Sequence, residues 1–293
     1  MRVTSRLAAS AIASGMAAVM IIAAGPAAQA STAKGYRPVG VRAPWAELAN
    51  EATGKDLWSQ SSVTERPMGS ITKVMTAYVV IEAGHLSRVI TVPSGIIGYD
   101  GEYDASTAGL VPGERLTTLQ LLYALLLPSG CDAAYTLAAA YGHGHPAKFI
   151  AQMNAMARRL RLSKTHFSDF SGLPDPGEYS TYSTARDLVS LGRDAMRLPT
   201  FRKIVATRSY RVVATREHQA HAWTNLNPLL GHFKGATGIK TGFTDVAGDC
   251  LLFSAERGGR ELIGVVLDSS SSPAGLGAAA SDATAMLDWG FGR

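Results

Sequence analysis

The sequence has few cysteines, no clustered charge of one sign and, beyond its first thirty residues, no long apolar run. Two cysteines in 293 residues, Cys131 and Cys250, exclude a disulfide-stapled scaffold, and a chain this long can bury a core without one. Charged residues are 17% of the composition and the formal net charge of +5 is spread along the chain. That distribution excludes the basic, aromatic-interleaved stripe of a nucleic-acid site. No H-E-x-x-H set is present. His143-x-His145 and His218-x-x-His221 fall in Gly-rich or polar stretches and read as solvated loop histidines, so no metal and no cofactor is expected. Internal repeats are absent as well.

The N-terminus reads as an export signal. Arg2 and Arg6 form a basic start, Leu7 to Gly25 is apolar and small, and Ala28-Gln29-Ala30 is an A-x-A cleavage site. Residues 1–30 are therefore assigned to a signal peptide cleaved near Ala30-Ser31, and 31–293 to a single extracytoplasmic domain. Membrane attachment is expected only if that signal stays uncleaved. Cleavage removes two arginines and no acid, so the net charge falls from +5 to +3. A mild positive excess favours anionic surfaces such as cell-wall polymers.

With 46% hydrophobic residues the mature chain has ordinary globular composition. "WAELANEATGKDLWSQ" reads as two strands about a Thr53-Gly54-Lys55 turn. Pro67 and Gly69 break the chain before a helix carrying Ser70, which runs with apolar Ile71, Val74, Met75, Tyr78 and Ile81 in step to Gly84. Residues 118–196 read as mostly helical, opening with a Thr117-x-x-Gln120 capping box. Helices follow over Asp132–Tyr141 and Pro146–Leu160, then one capped near Ser183. "SYRVVAT", "GIKTG", "CLLFSAE" and "ELIGVVL" are strands, with Arg257-Gly258-Gly259-Arg260 as a hairpin, and a closing helix ends near Trp289. This order predicts an α+β fold: an antiparallel sheet from both ends of the chain (about 31–69 and 205–293), flanked by helices, with an all-helical region (about 85–200) inserted and joined at the Ser70 helix.

Ser70 and Lys73 stand at i and i+3, so their side chains share one helix face. A hydroxyl and an amine in contact at a helix start are either a cap beside a solvated charge or a nucleophile beside its base. Two further segments bear on the choice. "PSGCD" sets Ser129 in a tight turn between helices, and "GIKTGFTD" sets Lys240-Thr241-Gly242 on a strand.

In that order, S-x-x-K, then S-x-C, then K-T-G resembles the penicillin-recognising serine acyltransferases. Across nearly the whole mature chain the sequence is similar to the low-molecular-mass D-alanyl-D-alanine carboxypeptidase and transpeptidase family, in "LLYALLLPSGCDAAYTLA", "THFSDFSGLPDPGEYSTYSTARDL", "GIKTGFTDVAG" and "DWGF". The resemblance implies a penicillin-binding protein or β-lactamase-like fold, peptidoglycan stem peptides as substrate and β-lactams as covalent inhibitors. It implies Ser70 as nucleophile, Lys73 as its base, Ser129 as proton donor to the leaving amine, and Lys240, Thr241 and Gly242 as substrate-binding residues. The oxyanion hole would be the backbone N–H groups of Ser70 and Phe243. Lys73 can act only as a neutral amine, a form favoured by burial and by Lys240 as a second cation.

Three departures qualify the resemblance. Cys131 stands where the family usually has Asn, and a thiol holds the lysine amine less firmly than an amide. The position where many members bind the substrate carboxylate with arginine falls near Ala279, leaving Lys240 and Thr241 alone or with help from Arg257 or Arg260. The chain also stops four residues after Trp289, without the C-terminal β-domain of many relatives. A β-lactamase is the alternative enzyme, but its Glu-x-x-Leu-Asn deacylation segment is missing between Leu160 and Leu191; an impaired penicillin- or peptidoglycan-binding module is the non-enzymatic one.

Overall fold

The computed structural model describes residues 37–103, 105–272 and 276–293. The expected export signal lies outside them. All described residues fall in one compact unit, which begins at Gly35, and among them no helix is long and apolar enough to cross a membrane.

Two strands come first, β1 (Trp45–Asn50) and β2 (Asp56–Gln60), then a 3-10 turn (Gly69–Thr72) running straight into α1 (Lys73–Ala83). The helical region holds β3 (Val89–Thr91), α2 (Gly95–Glu102), β4 (Arg115–Thr117), α3 (Thr118–Leu126), α4 (Cys131–Tyr141), α5 (Pro146–Arg159), α6 (Ala185–Met196) and α7 (Pro199–Val205). The chain then returns through β5 (Ser209–Val212), β6 (His221–Thr224), β7 (Ala236–Gly242), β8 (Cys250–Arg257), β9 (Arg260–Leu267) and α8 (Leu276–Phe291).

The main sheet has the order β2-β1-β9-β8-β7, all antiparallel. It is built from both ends of the chain, as the element order predicts. β8 and β9 read as nearly continuous apolar runs because both faces are covered. Side chains alternate across a strand, so Leu251, Phe253 and Ala255 join Leu262 and Val266 against Ala283, Met286 and Leu287 of α8. Leu252, Ile263, Val265 and Leu267 face the opposite core with α1 and α6. The predicted hairpin pairs Arg257 with Arg260.

Local signals held where they were local. Thr117 and Gln120 form the full reciprocal capping box on α3, and α6 is capped by Thr184, whose side chain accepts from the Asp187 N–H. Elsewhere the structure differs. β5 and β6 pair apart from the main sheet, and β3 pairs with β4 inside the helical region. Three-residue strands such as β3 and β4 are too short to show a period in sequence. His221 is no solvated loop residue: it is buried on β6, with Nε2 3.2 Å from Glu114 Oε1. Cys131 and Cys250 are both buried and unlinked.

α1 carries the site because it runs through the core. Every residue from Lys73 to Val80 is buried, so the helix is apolar all round, as expected of an element enclosed on every side. Lys73 is fully buried with it.

Candidate active site

Ser70 does not cap a helix. It sits inside the 3-10 turn, and neither that turn nor α1 has a side-chain cap, so its hydroxyl is free of backbone duty. Lys73 is fully buried, and its Nζ lies 2.8 Å from Ser70 Oγ, 3.0 Å from the Ser171 carbonyl and 3.3 Å from Cys131 Sγ. The Ser171 carbonyl can only accept and the sulfur accepts weakly, so the amine donates to both and meets Ser70 Oγ as its third partner.

The Ser171 carbonyl is itself fixed from behind. The Asp169 carboxylate, 1% exposed, accepts five hydrogen bonds: from the N–H groups of Ser171, Gly172 and Leu173, from Ser171 Oγ, and from Tyr99 Oη at 2.6 Å. Tyr99 stays a donor because burial first, and the Asp169 charge second, push its phenol above the usual tyrosine range. Thr76 of α1 donates to the Phe170 carbonyl at 2.5 Å, tying this loop to the helix that bears Lys73. Gly172, at φ +90°, comes so close that a Cβ there would sit 2.0 Å from the Gly69 carbonyl oxygen. Only glycine combines that backbone angle with that approach.

Ser129 occupies the turn between α3 and α4 at φ +66°, a conformation that costs a non-glycine residue about 1–2 kcal/mol. Its Oγ is buried without a hydrogen-bond partner and lines the same cavity as Ser70. The segment over this turn is held by Ser106, whose Oγ donates to the Ser129 carbonyl at 2.8 Å while its own carbonyl accepts the Cys131 N–H at 2.8 Å. Asp132, buried, accepts from the Ala108 and Leu110 N–H groups.

β7 supplies the other wall as the edge strand. Thr241, Gly242 and Phe243 line the cavity, which has a volume of about 550 Å³. A Cβ on Gly69 would lie 2.8 Å from the Phe243 nitrogen, so the β7 end and the Ser70 turn meet backbone to backbone. The Ser70 N–H belongs to the first turn of its helix, where N–H groups have no intrahelical acceptor.

Lys240 is placed differently from the substrate contact expected of it. It is 1% exposed and absent from the cavity lining, and its Nζ donates to the Thr241 carbonyl at 3.0 Å and Thr241 Oγ1 at 3.4 Å. Burial first, then the charge of Lys73, holds its amine well below the ordinary lysine range. Neither suggested arginine replaces it. Arg257 lies over the Phe233 ring and beside Asp288, and Arg260 bonds carbonyls at the C-terminal end of α8. Both occupy the β8–β9 hairpin, while Gly242 pairs with Cys250 at the other end of the sheet. Ala279 is buried, with its N–H on Asp249.

Among the described residues no group of His, Cys, Asp or Glu could hold a metal ion. Sequence reasoning missed Tyr99, Ser106, Asp169 and Ser171. The signal available for two of them was the family-like segment containing Phe167 to Gly172, whose resemblance carries no role for each residue.

A serine hydroxyl against a buried lysine amine, between a five-stranded antiparallel sheet and a helical region and beside a K-T-G edge strand, defines a serine acyltransferase of the penicillin-recognising class. The chain belongs to the D-alanyl-D-alanine carboxypeptidase family, whose model matches residues 30–271. It is 40% identical to the D-alanyl-D-alanine carboxypeptidase of Streptomyces sp. strain K15 over 83% of this chain and 84% of that one. It is 34% identical to D-alanyl-D-alanine carboxypeptidase DacB2 of Mycobacterium tuberculosis, over 83% and 80% of the two chains. The crystal structure of the Streptomyces K15 DD-transpeptidase superposes with a TM-score of 0.80 at 38% identity, covering 86% of this chain and 98% of that one.

Proposed function

We propose that the protein is a serine-type D,D-carboxypeptidase that acts on peptidoglycan stem peptides ending in D-Ala-D-Ala, and that an amine replacing water as acceptor turns the same cycle into transpeptidation. Ser70 Oγ attacks the penultimate carbonyl while its proton passes to the lone pair of Lys73 Nζ. The oxyanion forms against the N–H groups of Ser70 and Phe243, each such donor being worth about 3–4 kcal/mol. The proton held by Lys73 returns through the Ser129 hydroxyl, which gives its own to the departing D-Ala amine, and Thr241, with Lys240 behind it, orients the substrate's C-terminal end. Water or an amine then resolves the ester on Ser70. The observation that carries this reading is the set of three contacts at Lys73 Nζ: two are acceptors, the Ser171 carbonyl and Cys131 Sγ, and the third is the Ser70 hydroxyl, so once the amine is neutral its lone pair is left for the Ser70 proton.

A β-lactam acylates Ser70 by the same attack, but its leaving amine stays tethered to the acyl group and blocks the acceptor. One group of β-lactamases releases such an adduct with the base of a Glu-x-x-Leu-Asn segment, and none occurs between Leu160 and Leu191, which supports slow release and a carboxypeptidase over a β-lactamase. Export across the cytoplasmic membrane follows from the substrate's location and the N-terminal signal.

The test incubates wild type and Ser70→Ala with an acylated D-Ala-D-Ala tripeptide, with and without an amino acceptor, and with labelled penicillin. Wild type releases D-Ala and retains the label; the variant does neither. Label located on any other side chain would overturn the reading.

A further inference from the structure

Ser129 holds a left-handed backbone angle with its hydroxyl unpartnered, so its place depends on what grips the turn around it. One element grips that turn on both of its flanks in sequence: the β5–β6 hairpin, which pairs apart from the main sheet. Before Ser129, the Leu127 carbonyl accepts the N–H of Leu226, just past β6, at 3.1 Å. After Ser129, the hairpin acts through residues 105–114. The Trp223 indole Nε1–H donates to the Ala108 carbonyl at 2.8 Å, and the Ala108 N–H donates in turn to the Asp132 carboxylate at 2.9 Å. Ala108 also lies so near Gly130 that a Cβ on that glycine would sit 2.7 Å from the Ala108 Cβ. Two residues earlier, Ser106 donates to the Ser129 carbonyl itself.

The indole is itself held in place. Trp223 is buried and stacks with two rings of its own hairpin, His221 at 5.2 Å and Tyr210 at 6.2 Å between centroids. Tyr210 stacks on Tyr123 of α3 at 3.7 Å, and α3 is the helix that leads into the Ser129 turn. A second joint ties the far end of residues 105–114 to the same hairpin: Glu114 Oε1 accepts the Gln219 N–H at 2.9 Å and lies 3.2 Å from His221 Nε2. Stacked rings and buried hydrogen bonds fix a neighbouring segment more firmly than exposed contacts do.

We propose that the β5–β6 hairpin sets the Ser129 hydroxyl for proton delivery, with Trp223 as the positioning residue. Trp223 does not line the cavity, so it acts only through residues 105–114. The inference rests on the reading of Ser129 above as donor to the leaving amine and adds what fixes its place. The step concerned is collapse of the tetrahedral intermediate: the carbon–nitrogen bond breaks, its electron pair takes the Ser129 proton, and Ser129 takes the proton held by Lys73. An amine leaves only with that proton, whereas an alkoxide leaves far more readily without one. A displaced Ser129 therefore slows amide cleavage more than ester cleavage.

The test compares kcat/KM on an acylated tripeptide ending in D-Ala-D-Ala with that on its analogue whose final amide is replaced by a D-lactate ester, with active enzyme counted by labelled penicillin. Trp223→Phe keeps a ring in the stack and deletes the indole N–H. Its amide-to-ester ratio is expected to fall about fivefold below wild type, the scale of one hydrogen bond. Glu114→Gln loosens the second joint without touching the indole and should lower the ratio in the same direction. Ser129→Ala should lower it about a hundredfold. Tyr141→Phe, which deletes a hydroxyl bonded to the Gly84 carbonyl at the far end of α4, should leave it unchanged. Because the readout is a ratio, partial misfolding cannot imitate the result, and if Trp223→Phe fails to take up penicillin, Glu114→Gln decides alone. A ratio unchanged in Trp223→Phe beside a fall in Ser129→Ala, or an equal fall in Tyr141→Phe, overturns the inference. A ratio unchanged in Ser129→Ala strikes its proton-donor role and the inference with it. Failure of wild type to release D-Ala would instead strike the carboxypeptidase reading.

Discussion

Cys131 Sγ lies 3.3 Å from Lys73 Nζ, so a thiol occupies one of the three partner positions of the amine that meets the Ser70 hydroxyl. The family's usual Asn would offer a carbonyl there. Sulfur is the weaker acceptor, and the remaining geometry at Lys73 is set by Ser70 and the Ser171 carbonyl.

Removing the thiol should therefore slow acylation without abolishing it. For Cys131→Ala, the second-order rate of labelled penicillin uptake is expected to fall about threefold, the scale of one weak hydrogen bond. A loss of several hundredfold would mean that the sulfur takes part in the chemistry directly.

Tyr99 and Asp169 hold the loop that presents the Ser171 carbonyl to Lys73. Tyr99→Phe deletes one of five donors to a buried carboxylate and should lower stability by about 1–2 kcal/mol. If the pair also positions Lys73, acylation slows in step and the pH profile of kcat/KM moves, a change that lost stability alone does not produce. An unaltered profile would confine Tyr99 to a packing role.

Lys240 makes a prediction about pH. Its folded amine is depressed, by burial and by the Lys73 charge, so between that lowered value and the ordinary lysine range the unfolded chain binds the extra proton. Stability then rises with pH across this window and is lost as pH falls through the folded value. Lys240→Met removes the term. Its stability gain over wild type, about 1–3 kcal/mol, should be largest near neutral pH and shrink toward pH 10 in thermal melts, while D-Ala release declines. A variant less stable than wild type at neutral pH would show that the Thr241 contacts outweigh the burial penalty.

Much of the fold was legible because its signals are short-range. The Thr117–Gln120 box, the Arg257–Arg260 hairpin and the apolar runs of β8 and β9 each depend on residues within a few positions of one another. The two small sheets were not legible as separate from the main one, since nothing in β5 or β6 says which strand it will pair with. Ser70, Lys73, Ser129 and the K-T-G strand were found as an ordered set, and the structure gathers Ser70, Ser129 and Thr241 around one cavity.

The sequence by itself determined the elements, the helical spacing that joins Ser70 to Lys73, and the family-like motifs, because these are properties of neighbouring residues. Only the tertiary structure decided what surrounds the amine: Cys131 reaches it across 58 residues of chain and the Ser171 carbonyl across 98. It also decided that Lys240 is buried behind Thr241 and that the β5–β6 hairpin grips the turn of Ser129. Burial and electrostatic fields depend on which distant segments pack together, and that is fixed when the core of α1 closes against the sheet and the helices around it.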